Sequence, residues 1–373
     1  MSSAKLLSSC RIRSTPYKAK IEALGVSGYS VVNHTILPKG FDRTVDEDYW
    51  HLKEHVQLWD VGCQRQVELK GTDAAKLAQL MTPRDLSTAV VGQCLYAPMV
   101  DEQGGMLNDP IILKLAEDQF WFSIADSDVL LWAKGLAVGF GLNVQINEPD
   151  VWPMAIQGPK SDDLAEVVFG SGVREISFFR FKMLAFQGHP LLVARSGFSK
   201  QGGFEIYLDR TDLAEPLWDA LWEAGQTFNV APGCPNLIER IEGGLLSYGN
   251  EMTRENNPLE CGLDRYCQLD GSIQFIGFEA LQKIKQQGPK QYIKGVLFNG
   301  DRCPPCSRPW LVTVNSEVVG KITSAIWSPH FEANVALGMI GRDFDKVGTE
   351  VSVKREDGST RLGKIMDLPL THS

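Results

Sequence analysis

The sequence predicts an α+β protein whose last quarter folds as a small β-barrel. Helical-period segments and strand-like runs follow one another along the first 285 residues. From about Lys290 the texture changes. Short strands (Gly295–Phe298, Leu311–Val314, Val318–Ile322, Val335–Ile340, Glu350–Val353) alternate there with Gly and Asn turns, the pattern of a barrel. Neither a short-period repeat nor a low-complexity linker occurs, so the parts are expected to pack together. The expected division is 1–285, two interleaved α+β domains split near 60 and 150, and 286–373, the barrel.

The elements follow in order. Asp48–Trp59 places Tyr49, Leu52, Val56 and Trp59 at helical spacing. The same stretch carries His51-Leu-Lys-Glu-His55, a formal zinc-peptidase pattern that equally suits a solvated helix face. Gln66–Leu69 predicts a strand and Thr72–Met81 a short helix. Cys94–Val100 and Asn108–Leu115 predict two strands joined as a hairpin around Asp101–Gly105. Gln119–Ala125 continues the sheet, Asp126–Phe140 is helical and Asn143–Ile146 is a strand. The apolar strand from Met154 is closed by Gly158-Pro159, and a helix follows over Asp162–Phe169. Met183–Phe186 and Leu191–Ala194 pair around a turn, and Phe204–Leu208 is another strand, with alternating character. Thr211–Phe228 and Pro235–Ser247 are helices, the second ending in Tyr248-Gly249-Asn250.

Composition narrows the function classes. Of 373 residues 43% are hydrophobic and 22% charged, ordinary values for a globular protein. A net charge of −9 argues against nucleic acid as a main partner. No apolar run is long enough to cross a membrane. Met1–Lys20 is basic, Ser-rich and free of acids, which admits a transit peptide, but patterned sequence already starts at Ser14-Thr15-Pro16-Tyr17; no secretory signal is present. The eight cysteines are mostly isolated, as in a reducing cytoplasm. Cys303-Pro-Pro-Cys306 lies between two strands and is expected in a surface loop; one such pair makes no zinc site.

Chemistry is expected at Gln103–Leu113. Two glycines make a tight connection, and one carboxylate, Asp109, interrupts the apolar run beyond them. An acid at the entry to a buried strand caps a turn, pairs with an arginine, or accepts a hydrogen bond from a ligand N–H. A second carboxylate, Glu205, stands at another turn–strand junction in Ser196-Gly-Phe-Ser-Lys-Gln-Gly-Gly-Phe-Glu205.

Several segments line up in order: Trp59-Asp60-Val61, Gly104-Gly-Met-Leu-Asn-Asp109, Ala155-Ile-Gln-Gly-Pro159, Ser196–Glu205, Arg240-Ile-Glu-Gly-Gly244, Tyr248-Gly-Asn250, Pro258-Leu-Glu260 and Asn334-Val-Ala-Leu-Gly338. Together they resemble the folate-dependent aminomethyltransferase family typified by the glycine cleavage T-protein. The resemblance runs from about Thr15 to Leu370 and implies three domains in a clover-leaf around a central tetrahydrofolate site. It implies that Asp109 faces the reactive pterin nitrogens, that Glu205 binds the pterin edge, that Arg240 lies near the folate, and that Tyr96 lines the pocket. A homodimer is compatible with it.

Within the family the wording is most similar to the branch that demethylates dimethylsulfoniopropionate, through His51–Asp60, Ser123–Asp128, Ala194–Gly202 and Gly233–Arg240. The implied reaction moves a methyl group to N5 of tetrahydrofolate, giving 3-methylthiopropionate and 5-methyltetrahydrofolate. Phe198 and Phe204 stand where that branch is expected to carry larger aromatic residues. Where T-proteins carry a pair of acids this chain has Asn108-Asp109, and where they carry an acidic loop it has Ser199-Lys-Gln-Gly202, which counts against aminomethyl transfer from a lipoyl carrier.

The reaction itself dictates the remaining candidates. A sulfonium leaves without help from a metal, so the protein must place a nucleophilic nitrogen in line and control the charge on it. Aromatic faces suit the sulfonium: Trp121, Phe178, Phe179, Phe181, Phe198, Phe204 or Trp327. A cation suits the substrate carboxylate: Lys200 first, Arg195 second. The alternatives are a T-protein proper, a demethylase of a betaine or a methylglycine, and a folate-binding iron–sulfur assembly factor, whose signature cysteine is absent here.

Overall fold

The computed structural model describes residues 9–371. Residues 1–8 of the candidate transit segment lie outside the described residues. The chain forms two compact units. Of the described residues, one contains 9–74, 89–95 and 111–236; the other contains 75–88, 96–110 and 237–371.

The first unit is built on a six-stranded sheet in the order Phe181–Phe186, His189–Ala194, Gly203–Leu208, Trp152–Gln157, Val56–Asp60, Val230–Gly233. All neighbours are antiparallel except the last pair. Side chains alternate faces along each strand. Val56, Leu58, Met154, Ile156, Leu191, Val193, Phe204, Ile206 and Leu208 pack on one face against Leu164 and Ala165 of helix Ser161–Phe169 and Leu217, Trp218 and Leu221 of helix Ala214–Gly225. The opposite face holds Trp59 with Ala155, and Leu192, Ala194 and Tyr207 with Cys94 and Leu113. A five-stranded sheet accompanies it, in the order Gln145–Asn147, Gln66–Lys70, Gln119–Ser123, Ile111–Ala116, Cys94–Tyr96.

The strand expected at Phe204–Leu208 is Gly203–Leu208, and every residue of it is buried, as in a central strand. Covering both faces of the six-stranded sheet corrects one expectation. The expected helix Asp48–Trp59 ends early. A capping box starts it at Thr44, whose hydroxyl accepts from Glu47 N while Glu47 returns a bond to Thr44 N, and it stops at Glu54. Val56–Asp60 is instead a strand with all five residues buried. Its apolar residues satisfy helical spacing and a two-sided strand alike, and the neighbouring strands decide.

The second unit contains a closed barrel, Gln291–Phe298, Ala333–Gly341, Glu317–Ser328, Trp310–Val314, Glu350–Lys354 and Thr360–Met366, in that order around the wall. Val296, Val312, Ile322, Ala336, Ile340, Val353 and Ile365 fill its interior. The barrel was expected; the strand Thr360–Met366 and the helix Phe278–Gln287 are additions. The helix expected over Pro235–Ser247 is only Leu237–Glu242, because Gly243-Gly244 follows and Gly244 takes a left-handed conformation. The expected hairpin is Met99–Val100 paired with Met106–Asn108. It is shorter than predicted because Pro98 and Pro110 interrupt the flanking strands.

Candidate functional site

Asp109 lies in the second unit, one residue beyond that hairpin. Gly105 makes the approach: a Cβ there would stand 2.4 Å from the Arg254 carbonyl oxygen. The Asp101 side chain closes the turn by accepting from Gln103 N at 3.0 Å and Gly105 N at 2.8 Å. Ala97 N donates to Pro110 O at 3.0 Å, bringing Tyr96 level with Asp109. The Tyr96 hydroxyl then donates to Asp109 Oδ2 at 2.9 Å.

Asp109 is half-buried. Loss of water lifts its carboxyl to about 7, against the pull of the Tyr96 hydroxyl and a backbone N–H, with buried Glu251 adding a smaller upward push. Burial likewise raises the Tyr96 hydroxyl far above its usual value, so it stays a donor. A carboxyl poised near neutrality can take or give a proton at working pH.

Arg240 lies in the same unit, with both its terminal nitrogens engaged. Nη1 donates to Glu251 Oε2 at 2.9 Å and to Leu245 O at 3.1 Å, and Nη2 reaches Ser324 Oγ. Glu251 is buried and also accepts from Ser247 N at 2.9 Å and from the Ser324 hydroxyl. This ion pair is buried and hydrogen-bonded on both sides, which is what its desolvation requires.

Glu205 lies in the first unit on strand Gly203–Leu208, on the sheet face opposite the helices. Its neighbours across the sheet are the small residues Ala155 and Ala194. Its Oε2 accepts from the Ser196 hydroxyl at 2.5 Å. Burial raises its carboxyl above the ordinary value, while Ser196 and Gln64 pull it down. Gln57 and Gln157, also on this face, are completely buried. Gln157 ties down the loop before Glu205: its Nε2 donates to Ser196 O at 3.2 Å, and its Oε1 accepts from the Ser199 hydroxyl at 2.7 Å. A Cβ on Gly197 would stand 2.1 Å from Gln157 Nε2. Gln57 accepts from the Trp59 indole N–H at 2.8 Å.

The candidate substrate residues separate. Phe198 is half-buried and packs against Leu52, Trp59, Val61 and Ala155. Lys200 is exposed on the same loop. Phe204 has no exposed surface and belongs to the core against the helices. The Arg195 guanidinium stacks 4.6 Å over the Phe204 ring and bonds Asp162 at 2.9 Å. Sequence reasoning placed these two on a ligand surface, whereas strand alternation turns Phe204 into the core and Arg195 pairs with an acid.

The His51 and His55 rings lie tilted against each other, with centres 5.1 Å apart and planes at 57°. His51 Nε2 meets Asn229 O at 2.9 Å and His55 Nδ1 meets Lys160 Nζ at 3.0 Å. Among the described residues no group of three or more His, Cys, Asp or Glu is placed to hold a metal. Cys303 and Cys306 sit between barrel strands with free thiols, which burial raises to about 11 and about 12. Sequence reasoning passed over Glu251 and Gln157. Both lie in or beside motifs already singled out, Tyr248-Gly-Asn250 and Ala155–Pro159, but nothing local says what their side chains meet.

Comparison with known proteins agrees with this architecture. The model of the GCVT N-terminal domain matches residues 18–271, and that of the glycine cleavage T-protein C-terminal barrel domain matches residues 295–371. A dimethylsulfoniopropionate demethylase from Ruegeria pomeroyi is 51% identical over 355 residues, 95% of this chain and 96% of that protein. An aminomethyltransferase from Symbiobacterium thermophilum is 32% identical over 322 residues, 83% of this chain and 85% of its own. The crystal structure of glycine cleavage system aminomethyltransferase T from Bartonella henselae shares the fold, with a TM-score of 0.86 over 96% of this chain and 98% of that one at 23% identity. With both family domains matched in order and half its residues shared with one full-length relative, this chain belongs to the glycine cleavage T-protein family.

Proposed function

We propose that this protein is a tetrahydrofolate-dependent demethylase that transfers one methyl group of dimethylsulfoniopropionate to N5 of tetrahydrofolate. The observation that carries the choice of donor is the 51% identity to the Ruegeria pomeroyi demethylase along nearly all of both chains, against 32% to the aminomethyltransferase. The site chemistry fits. The S–CH3 bond breaks as the bond from nitrogen to that carbon forms, and sulfur leaves as a neutral thioether. The acceptor nitrogen supplies the electron pair and must shed its proton. Asp109, held by Tyr96 and lifted to about 7, is the group suited to take that proton at neutral pH.

The remaining assignments are part of the same proposal. Buried Glu205 is the acceptor for N–H groups on the pterin edge. Lys200 reads the donor carboxylate, and Phe198 offers an aromatic face to the sulfonium. Arg240 acts through Glu251, since both its terminal nitrogens are already bonded. The test is incubation with tetrahydrofolate and a panel of methyl donors, scoring 5-methyltetrahydrofolate. Turnover of dimethylsulfoniopropionate in preference to glycine betaine, methylglycines and an aminomethyl-lipoyl carrier is expected. Preference for the lipoyl carrier would make the protein an aminomethyltransferase.

A further inference from the structure

The Tyr96 hydroxyl aims at Asp109 only if the Tyr96 ring is held. One aromatic side chain of the second unit meets that ring, and two arginines lie against that side chain. Tyr266, on the short 3-10 turn Asp264–Tyr266, meets the Tyr96 ring edge to face, with centroids 5.3 Å apart and planes at 82°. Arg84 donates from Nη1 to Tyr96 O at 2.6 Å, and its guanidinium carbon lies 5.0 Å from the centre of the Tyr266 ring. The Arg265 guanidinium lies 4.7 Å from that same ring. Two cations on one aromatic ring fix its plane, and each such contact strengthens with partial burial. Arg84 and Tyr266 are both half-buried. The turn is tied to the Arg84 segment as well, because Gln268 N donates to Pro83 O at 2.8 Å.

We propose that Tyr266, gripped by Arg84 and Arg265, is a positioning residue that keeps the Tyr96 hydroxyl on Asp109. The inference rests on reading Asp109 as the proton-accepting group, but its first readout does not. The groups that bear on Asp109 are Tyr96, Glu251 with its partner Arg240, and Cys261. Of these, Tyr96 is the one whose ring Tyr266 meets, so the effect is expected to pass through that ring.

The test follows the Asp109 carboxyl in the ligand-free protein by carbon-13 NMR of labelled aspartate, the signal being identified by its loss in Asp109→Asn. Tyr266→Leu removes the ring and should move the Asp109 titration to higher pH by about half a unit or more, because the freed Tyr96 no longer stabilises the carboxylate. Tyr266→Phe keeps the ring and should leave the titration in place. In turnover, Tyr266→Leu should lower kcat by roughly tenfold with KM within about twofold, and in a Tyr96→Phe background it should add nothing. An unchanged titration in Tyr266→Leu, or an equal loss of kcat in both backgrounds, would overturn the proposal. A moved titration with unchanged kcat would support the positioning role and remove Asp109 from the chemistry. Arg84→Met, which loosens the grip while leaving both rings, should show the same upward shift and serves if Tyr266→Leu fails to fold.

Discussion

Asp109→Asn separates charge from shape at the centre of the candidate site. Asparagine keeps the size of the side chain and an oxygen for the Tyr96 hydroxyl but cannot ionise. The folded protein holds the Asp109 proton up to about 7, whereas the unfolded chain releases it near 3.8. A raised carboxyl favours the folded state below the unfolded value, and that advantage is lost as pH rises from about 4 through 7. At about 1.4 kcal/mol per pH unit the full difference is on the order of 4 kcal/mol, and partial exposure of the carboxyl discounts it to roughly 2 kcal/mol. The variant escapes this cost. Its melting temperature should exceed the parent's by about 3 °C above pH 8, with the gap narrowing toward pH 5, given the usual unfolding entropy per residue. The assay is thermal unfolding between pH 5 and 8.5, paired with steady-state turnover, in which kcat should fall at least ~100-fold. Parallel melting curves at every pH would show that the carboxyl titrates normally. Retained turnover would make Asp109 a structural residue.

Three further outcomes are expected. Glu205→Gln should weaken tetrahydrofolate binding by roughly tenfold in calorimetry, the loss of about one charge-assisted hydrogen bond, with a smaller change in kcat at saturation. Lys200→Ala should raise KM for dimethylsulfoniopropionate with little change in kcat, and should spare sulfonium donors that lack a carboxylate; equal losses for both kinds of donor would show that Lys200 does not read the carboxylate. Arg240→Met should cost about 3–5 kcal/mol by stranding buried Glu251, and Glu251→Met in the same chain should recover most of it, as measured by denaturant unfolding.

The candidate carboxylates were legible in the sequence because the chemistry that marks them is local. Asp109 and Glu205 each break an apolar run at a glycine-rich junction, and a tight turn needs glycine whatever surrounds it. The barrel was legible for the same reason, since strand period and turn residues are properties of a few neighbouring positions. Tertiary structure decided what each side chain meets. Val56–Asp60 fits a helix or a two-sided strand equally, and only the strands beside it select the second. Phe204 and Glu205 are adjacent in sequence, yet the pleat sends one into the helix-covered core and the other to the opposite face. Arg240 finds Glu251 eleven residues on and Ser324 eighty-four residues on, and Tyr96 finds Tyr266. A sequence records which groups can ionise or stack. The desolvation that lifts Asp109 toward neutrality, and the pairing that satisfies Arg240, depend on distant segments arriving at the same place.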